Sequence, residues 1–337
     1  MPTIIVTGGA GYIGSHTTLA LCEQGYDVVV LDNLSTGVAH AVLPPARLVE
    51  CELTNADQVR KAFQGLDVTG VIHFAASIVV PESVENPLKY YDNNLITTSN
   101  LLAAAGEFGV KHFLFSSSAA VYGIPTEFPV KEGITKDPIN PYGRTKLINE
   151  WMIEDMALAL TMESSPYTHP GMTFANLRYF NVAGCDIQGR LGQNSPQATH
   201  LIKVACQAAV GTRDKLMVFG DDYDTHDGSG VRDYIHVSDL ADVHVAGLQY
   251  LERGGESGVF NCGYGHGYSV LDVANKLKEV SGVDFNVEIG PRRAGDPGAL
   301  VADVSRMNES FGWKPKHDDL AVILKSALDW EKKLSGK

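Results

Sequence analysis

The chain contains no run of 18 consecutive apolar residues, so nothing in it reads as a membrane-spanning helix. Positive charge is scarce as well, with 27 lysines and arginines against 40 aspartates and glutamates and a formal net charge of −13. A surface of that sign repels nucleic-acid phosphates and anionic lipid, which excludes a general nucleic-acid or membrane binder. Cysteine is sparse: Cys22, Cys51, Cys185, Cys206 and Cys262 show no Cys-x-x-Cys and no regular spacing. Reduced thiols in the cytosol are therefore expected, with no disulfide framework. No grouping of His, Cys and acidic residues has metal-ligand spacing, so no metal is expected. No basic segment precedes the first apolar run, so no secretory signal is expected either. Internal repeats, low-complexity tracts and long Pro/Gly/Ser linkers are missing too.

What is present is an ordinary globular composition, 44% hydrophobic over 337 residues, enough for two domains or one large α/β unit. Apolar runs bounded by turn residues predict strands at 3–7, 27–32, 46–53, 71–74, 112–115 and 173–179. Helices are expected from Gly14 to Glu23, after a cap at Thr54 or Asn55, at 93–106, and from Pro141. This alternation predicts a doubly wound parallel sheet with right-handed crossovers. Beyond residue 180 the texture changes to a smaller mixed α/β part. A loop is expected at Asn181-Val182-Ala183-Gly184, a helix near 196–210 and a strand at 215–219. Ser238-Asp239 reads as a helix cap, with a strand at 258–261, a helix from Ser269, a strand at 285–289 and a terminal helix. The expected division is 1–180 for a dinucleotide-binding domain and 181–337 mainly for substrate, with the chain crossing between the two.

Two stretches carry chemistry. Gly8-x-x-Gly11-x-x-Gly14 lies between the first strand and the first helix, where glycines let the backbone approach a pyrophosphate at a helix N-terminus. Asp32 ends the second strand, placed to accept from ribose hydroxyls and to repel a 2′-phosphate, so NAD is expected rather than NADP. The second stretch is Pro141-Tyr142-Gly143-Arg144-Thr145-Lys146. With Pro141 opening a helix, Tyr142 and Lys146 are i and i+4 on one face. An ammonium beside a phenol favours the phenolate, which would make Tyr142 a usable proton acceptor near neutrality. Taken alone, such a pair reads more readily as two surface side chains on an amphipathic helix. Small residues end the fourth strand (Ala75-Ala76), and Ser116-Ser117-Ser118 end the fifth, at the carboxyl edge where ligands lie in such sheets.

With Thr7–His16, Phe115–Ser118, Tyr142-x-x-x-Lys146, Arg178-Tyr179-Phe180-Asn181 and Gly230-Val231-Arg232-Asp233-Tyr234-Ile235-His236-Val237, the chain resembles the nucleotide-sugar epimerases of the extended short-chain dehydrogenase/reductase superfamily. The resemblance runs from Thr3 to the C-terminal helix. It implies a homodimer, pairing through helices 93–106 and 146–160, that keeps NAD bound and interconverts UDP-glucose and UDP-galactose through a 4-keto sugar. Tyr142 would exchange the proton, Ser118 would bond the reacting oxygen, and Lys146 would hold the cofactor ribose; Ser116 and Ser117 are second choices for the serine. The resemblance also implies NAD contacts from Gly8, Gly11, Tyr12, Ile13, Gly14, Asp32, Asn33, Glu52, Leu53, Phe74, Ala75, Ala76, Asn93, Ser116 and Tyr179. UDP-sugar contacts are implied for Asn181, His200, Leu201, Phe219, Arg232, Tyr234, Arg293 and Asp296.

The chain departs from that family in places. Cys51-Glu52-Leu53 replaces a common Gly-Asp-Ile beside the adenine, Ile78 replaces a lysine, and His200 stands where an asparagine is frequent. Leu300 occupies the position that gates the sugar C2 pocket. Ala119-Ala120 lacks the Asp-Glu that a 4,6-dehydratase needs after its serine, which removes that rival. Epimerases of UDP-N-acetylhexosamines, UDP-pentoses or UDP-uronic acids and a UDP-glucuronate decarboxylase stay open on sequence alone, while the intact Tyr142–Lys146 pair argues against a non-catalytic NAD sensor, which needs no poised phenol. His73 and His236, inside apolar strands, are read as buried structural histidines.

Overall fold

The computed structural model describes residues 2–167, 171–195, 199–293 and 296–336. Strand β1 (Thr3–Thr7) is buried throughout, and the glycine turn leads into α1 (Tyr12–Glu23) and β2 (Asp27–Asp32). Next come β3 (Arg47–Glu50), α2 (Ala56–Phe63), β4 (Val68–His73), the short α3 (Val80–Glu85) and the 22-residue α4 (Pro87–Phe108). The strand β5 (His112–Ser118), helix α5 (Pro141–Ala159) and strand β6 (Thr173–Tyr179) complete the first part. Strand β3 is shorter than the expected 46–53, because Glu52 turns back to accept from the Thr54 N–H. Helix α4 begins earlier than expected. Asn86 caps it, Pro87 occupies its first turn, and Gly109 ends it at φ 74°. Asn55 caps α2 and Asn140 caps α5, each by accepting a backbone N–H.

The second part holds β7 (Asn181–Ala183), α6 (Leu201–Ala209), β8 (Leu216–Phe219), β9 (Val231–Arg232), β10 (Tyr234–His236) and α7 (Val237–Glu252). It continues with β11 (Gly258–Cys262), β12 (Tyr268–Ser269), α8 (Val270–Ser281), β13 (Val287–Gly290), β14 (Ala299–Leu300), α9 (Ser305–Phe311) and α10 (Leu320–Ser335). Three expectations are corrected here. Asn181–Ala183 is a strand and not a loop, because it pairs in parallel with β10. The cap of α7 is His236, whose Nδ1 accepts from the Ser238 N–H, while Asp239 is buried and binds the Tyr264 hydroxyl and His317. Helix α6 starts at Leu201; residues 196–198 of the expected helix lie outside the described residues.

The main sheet has seven parallel strands in the order β11-β6-β5-β4-β1-β2-β3. Alternation along the strands explains its two faces. Ile4 and Val6 pack with Val28, Val30, Leu114 and residues of α1 and α7, while Ile5 packs with Val29, Leu31, Val71 and residues of α2, α4 and α5. A separate core joins α6, α8 and α10 under the smaller part. Because the strands run in parallel register, Thr7, Leu31, His73 and Phe115 sit level at the carboxyl edge, and Ser118 pairs with Tyr179. Among the described residues no helix is long and apolar enough to cross a membrane.

Polar groups buried in this fold set its pH response. Burial holds His16 and His244 down at about 4 and His73 and His236 at about 3, against an ordinary 6.5. The unfolded chain takes up protons on these rings below about 6.5 and the fold only near 3–4, so acid favours unfolding throughout that window. Each ring removes about 1.4 kcal/mol of stability per pH unit within it. Asp233, pushed up to about 6 by burial, and Glu154, also raised by burial, act the other way, but His112 is lowered with the four rings. We therefore expect the urea midpoint to fall steeply between pH 7 and pH 5. An unchanged midpoint would mean that these rings already carry protons in the fold.

Candidate active site

Three glycines shape the first half of the site. Gly8 has φ +67°, and a Cβ on it would lie 2.7 Å from the Ala75 nitrogen, so the turn presses against the end of β4. A Cβ on Gly14 would lie 2.3 Å from the Gly8 carbonyl oxygen, so only glycine fits. Gly11 caps α1 without a side-chain bond, leaving the first-turn N–H groups of the helix for an anion. Asp32 accepts from Ala10 N–H (3.0 Å) on one carboxylate oxygen and from Leu34 N–H (2.8 Å) on the other, with lone pairs to spare for hydroxyls. Asn33 donates to Glu52 at 2.9 Å, and Thr54 holds the other oxygen of that carboxylate. This open cradle, with one carboxylate at the tip of β2, fits a dinucleotide.

Other expected cofactor residues are tied to the protein. The Tyr12 hydroxyl donates to the Gly184 carbonyl at 2.6 Å, so only its backbone, with that of Ile13, faces the turn. Leu53 is buried, and its carbonyl accepts from Asn100. The Phe74 ring lies 4.8 Å from that of His244, and Ala76 follows, half-buried, before Ser77. Ser77 accepts from Asn93 at 3.2 Å, and its N–H is held by Asn94 at 2.7 Å. Asn94 also bonds Thr145, which ties the loop after β4 to α5.

The second half of the site is built where α5 meets β5. Asn140 and Pro141 start α5, and a Cβ on Gly143 would come 2.7 Å from the Ala120 carbonyl oxygen, so this glycine allows the contact. Tyr142 is thereby brought to Ser118, whose hydroxyl bonds the phenol and also caps the turn at Ala119–Tyr122 by accepting from Ala120 N–H. The neighbouring serines are engaged elsewhere: Ser116 accepts from the Tyr179 hydroxyl, and Ser117 donates to Glu150. Lys146 is 1% exposed; its Nζ donates to the Ser116 carbonyl at 2.7 Å and lies 5.8 Å from the Tyr142 ring centre and 4.8 Å from that of Phe115. A buried ammonium with one protein acceptor has donors left for ribose hydroxyls.

The charges differ from the expectation. Burial raises the Tyr142 phenol above its ordinary value, with the Ser118 bond pulling the other way. Lys146 falls to about 7 because it is desolvated, and Glu150 opposes that fall. In the protein alone, desolvation is the largest cause for both groups. Sequence reasoning missed the groups beneath this pair. Glu150, one helical turn beyond Lys146, receives Arg178 through both carboxylate oxygens, and both side chains are 1% exposed. Arg178 also donates to the Tyr122 hydroxyl, which in turn donates to Asn261. The i+4 spacing from Lys146 to Glu150 was the available signal. His73 bonds Thr7 and Thr98, a structural role.

The expected substrate residues gather on the smaller part. Asn181, Tyr234, His200 and Leu201 line one cleft with Gln193 and Lys203. The Asn181 N–H donates to the carbonyl of Asp233, whose buried carboxylate accepts three backbone N–H groups, from Tyr264, Gly265 and Ala302. Asp233 thus fixes the strand that carries Arg232, whose guanidinium returns to the Val231 carbonyl. Arg293 stacks 3.8 Å from the centre of the Phe219 ring, while Arg292 is paired with Asp222 and stands apart. Asp296 is exposed, and its N–H donates to the Arg293 carbonyl. His226, Asp227 and Asp272 approach one another on the surface, but Asp227 is already bonded by Ser229 and Ser269.

Residues 4–263 match the NAD dependent epimerase/dehydratase family. The chain is 50% identical over 333 residues to the UDP-glucose 4-epimerase of Azospirillum brasilense, covering 99% of this chain and 93% of that one. The UDP-glucose 4-epimerase of Brucella ovis in complex with NAD superposes with a TM-score of 0.92 at 43% identity, covering 98% of both chains. The UDP-Glc/GlcNAc 4-epimerase of Campylobacter jejuni superposes with a TM-score of 0.86 at 47% identity, covering 99% of this chain and 100% of that one.

The glycine turn gives a graded test. Gly14→Ala is expected to abolish dinucleotide binding, measured by fluorescence titration. Gly11→Ala, whose Cβ would meet the Gly8 oxygen at 3.2 Å, should weaken it less. Equal affinity in the parent and Gly14→Ala would show that the turn does not hold the dinucleotide.

Proposed function

Because the chain belongs to the NAD dependent epimerase/dehydratase family, we propose that it is a UDP-sugar 4-epimerase that interconverts UDP-glucose and UDP-galactose. The observation that carries this reading is the meeting of Ser118, Tyr142 and Lys146 at the sheet edge that also holds the glycine turn and Asp32. Bound NAD supplies the hydride acceptor and donor for C4 of the hexose. Tyr142 takes the proton of the 4-hydroxyl as that carbon is oxidised and returns it when the 4-keto sugar is reduced on its other face. Ser118 bonds the reacting oxygen. Lys146 donates to the nicotinamide ribose and, when charged, favours the phenolate. Gly8, Gly11, Gly14 and the backbone at Tyr12 and Ile13 hold the pyrophosphate, and Asp32 accepts from the adenosine ribose.

Asn181, His200, Leu201, Arg232 and Arg293 hold the diphosphate and Phe219 lies beside the uracil, leaving the hexose free to turn about its pyrophosphate link. Asp296 serves the uridine ribose. In this reading residues 1–180 are the NAD part and 181–337 mainly the UDP-sugar part. A cytosolic location accords with the five free thiols. A second reading, epimerisation of UDP-N-acetylhexosamines, is favoured by the likeness to the Campylobacter jejuni enzyme and by Leu300, half-buried beside Ala119, Val121 and Leu147.

The test is incubation of the purified protein with UDP-hexoses, UDP-N-acetylhexosamines and UDP-pentoses, followed by chromatography of the products. Conversion of UDP-galactose to UDP-glucose is expected, and Tyr142→Phe should slow it by about 10²–10⁴-fold with NAD still bound. Turnover within a few-fold of the parent would remove Tyr142 from its role. A homodimer is proposed through α4 and α5, where Leu88, Ile96, Trp151 and Leu158 are exposed. The expected solution mass is twice 36.3 kDa, and a monomer at micromolar concentration would refute the pairing.

A further inference from the structure

At the start of α6 a chain of contacts ends on one imidazole. Lys203, on the first turn of α6 and 7% exposed, is paired with Glu331 of α10, itself 5% exposed. The same ammonium donates to the backbone carbonyl of Gln193 at 2.9 Å. The neighbouring Gly192 lies flat on the Trp330 ring, where a Cβ would come within 2.3 Å. Gln193 is therefore held from both sides. Its side-chain Nε2 lies 2.8 Å from Nδ1 of His200, the residue preceding α6. An amide nitrogen can only donate, so Nδ1 accepts and carries no proton. A neutral imidazole with a bare Nδ1 carries its proton on Nε2.

We propose that Gln193, anchored by the Lys203–Glu331 pair, is a positioning residue that fixes His200 in its Nε2–H form, so that the ring offers a donor to the diphosphate of the nucleotide. This rests on the reading that a nucleotide-sugar diphosphate occupies the cleft that His200 lines with Asn181 and Tyr234. The tautomer decides the sign of the contact. With the proton on Nδ1, the ring would turn a lone pair toward the phosphate oxygens. Helix α6 adds to the same end, since its N-cap His200 makes no side-chain bond to its first N–H groups. An asparagine at position 200 would carry its own amide donor and need no such partner. A histidine needs one, because only one of its two nitrogens has a proton to give.

The relay is read in the full-length protein without turnover. In protein carrying 15N-histidine, long-range 1H–15N correlation spectra distinguish the two tautomers, and the signal lost in His200→Asn identifies this ring. The parent should show the Nε2–H pattern and Gln193→Met a mixture of the two. Calorimetry with UDP should show binding about tenfold weaker in Gln193→Met. A smaller loss is expected in the double variant Lys203→Met/Glu331→Met, which replaces the pair by apolar groups and leaves no buried charge unpaired. An Nδ1–H pattern in the parent, or a Gln193→Met protein that keeps its tautomer or its UDP affinity, would overturn the proposal. Neither readout depends on epimerisation, so failure of the relay and failure of the proposed reaction are separately visible.

Discussion

The site depends on how closely one helix can lie against one turn. Helix α5 approaches the end of β5 so tightly that position 143 has no room for a side chain. Asn140 and Pro141 set where that helix begins, and its first turn then delivers Tyr142 to Ser118 and sinks Lys146 beneath it. The level ends of the parallel strands make the approach productive, because they bring the glycine turn, Asp32 and the serines to the same edge. A shift of one residue in the start of α5 would rotate the phenol by about 100° about the helix axis and separate the pair from the sheet.

Desolvation is the second theme. The ammonium of Lys146 lies where water does not reach, and burial weakens its hold on a proton until it is divided near neutrality. The Glu150–Arg178 pair beneath it is fully enclosed and hydrogen-bonded to Ser117 and Tyr122. Such a pair adds little net stability over apolar packing, but an enclosed carboxylate lacking its guanidinium would be strongly unfavourable. Its effect on the site is geometric and electrostatic together: it locks α5 against β6 and keeps a negative group one turn from Lys146.

Much of this was legible in the residues. The glycine spacing, Asp32 and the Tyr142–Lys146 interval each encode a backbone approach or a helical face, and such signals are local. The signals that failed depend on partners distant in sequence. Asn181–Ala183 looks like a loop until β10 lies beside it. Ser238-Asp239 looks like a cap until His236 turns its ring onto the helix start and Asp239 is drawn inward by Tyr264 and His317. What distinguishes the three serines is likewise distant in sequence: Ser116 meets Tyr179 of β6 and Ser117 meets Glu150 of α5. The burial that raises the Tyr142 phenol was not legible, because spacing reveals a neighbour's charge and says nothing of the water removed around it.

Strand β11 comes from the second half of the chain, yet it forms the outer rail of the first half's sheet, beside β6. The two halves are thus stitched through shared backbone pairing and cannot swing apart like jaws. Room for a sugar to invert must come from loops and side chains around a rigid frame. A gene cut after codon 180 would yield a sheet with one raw margin, prone to self-adhesion, and not a portable cofactor module.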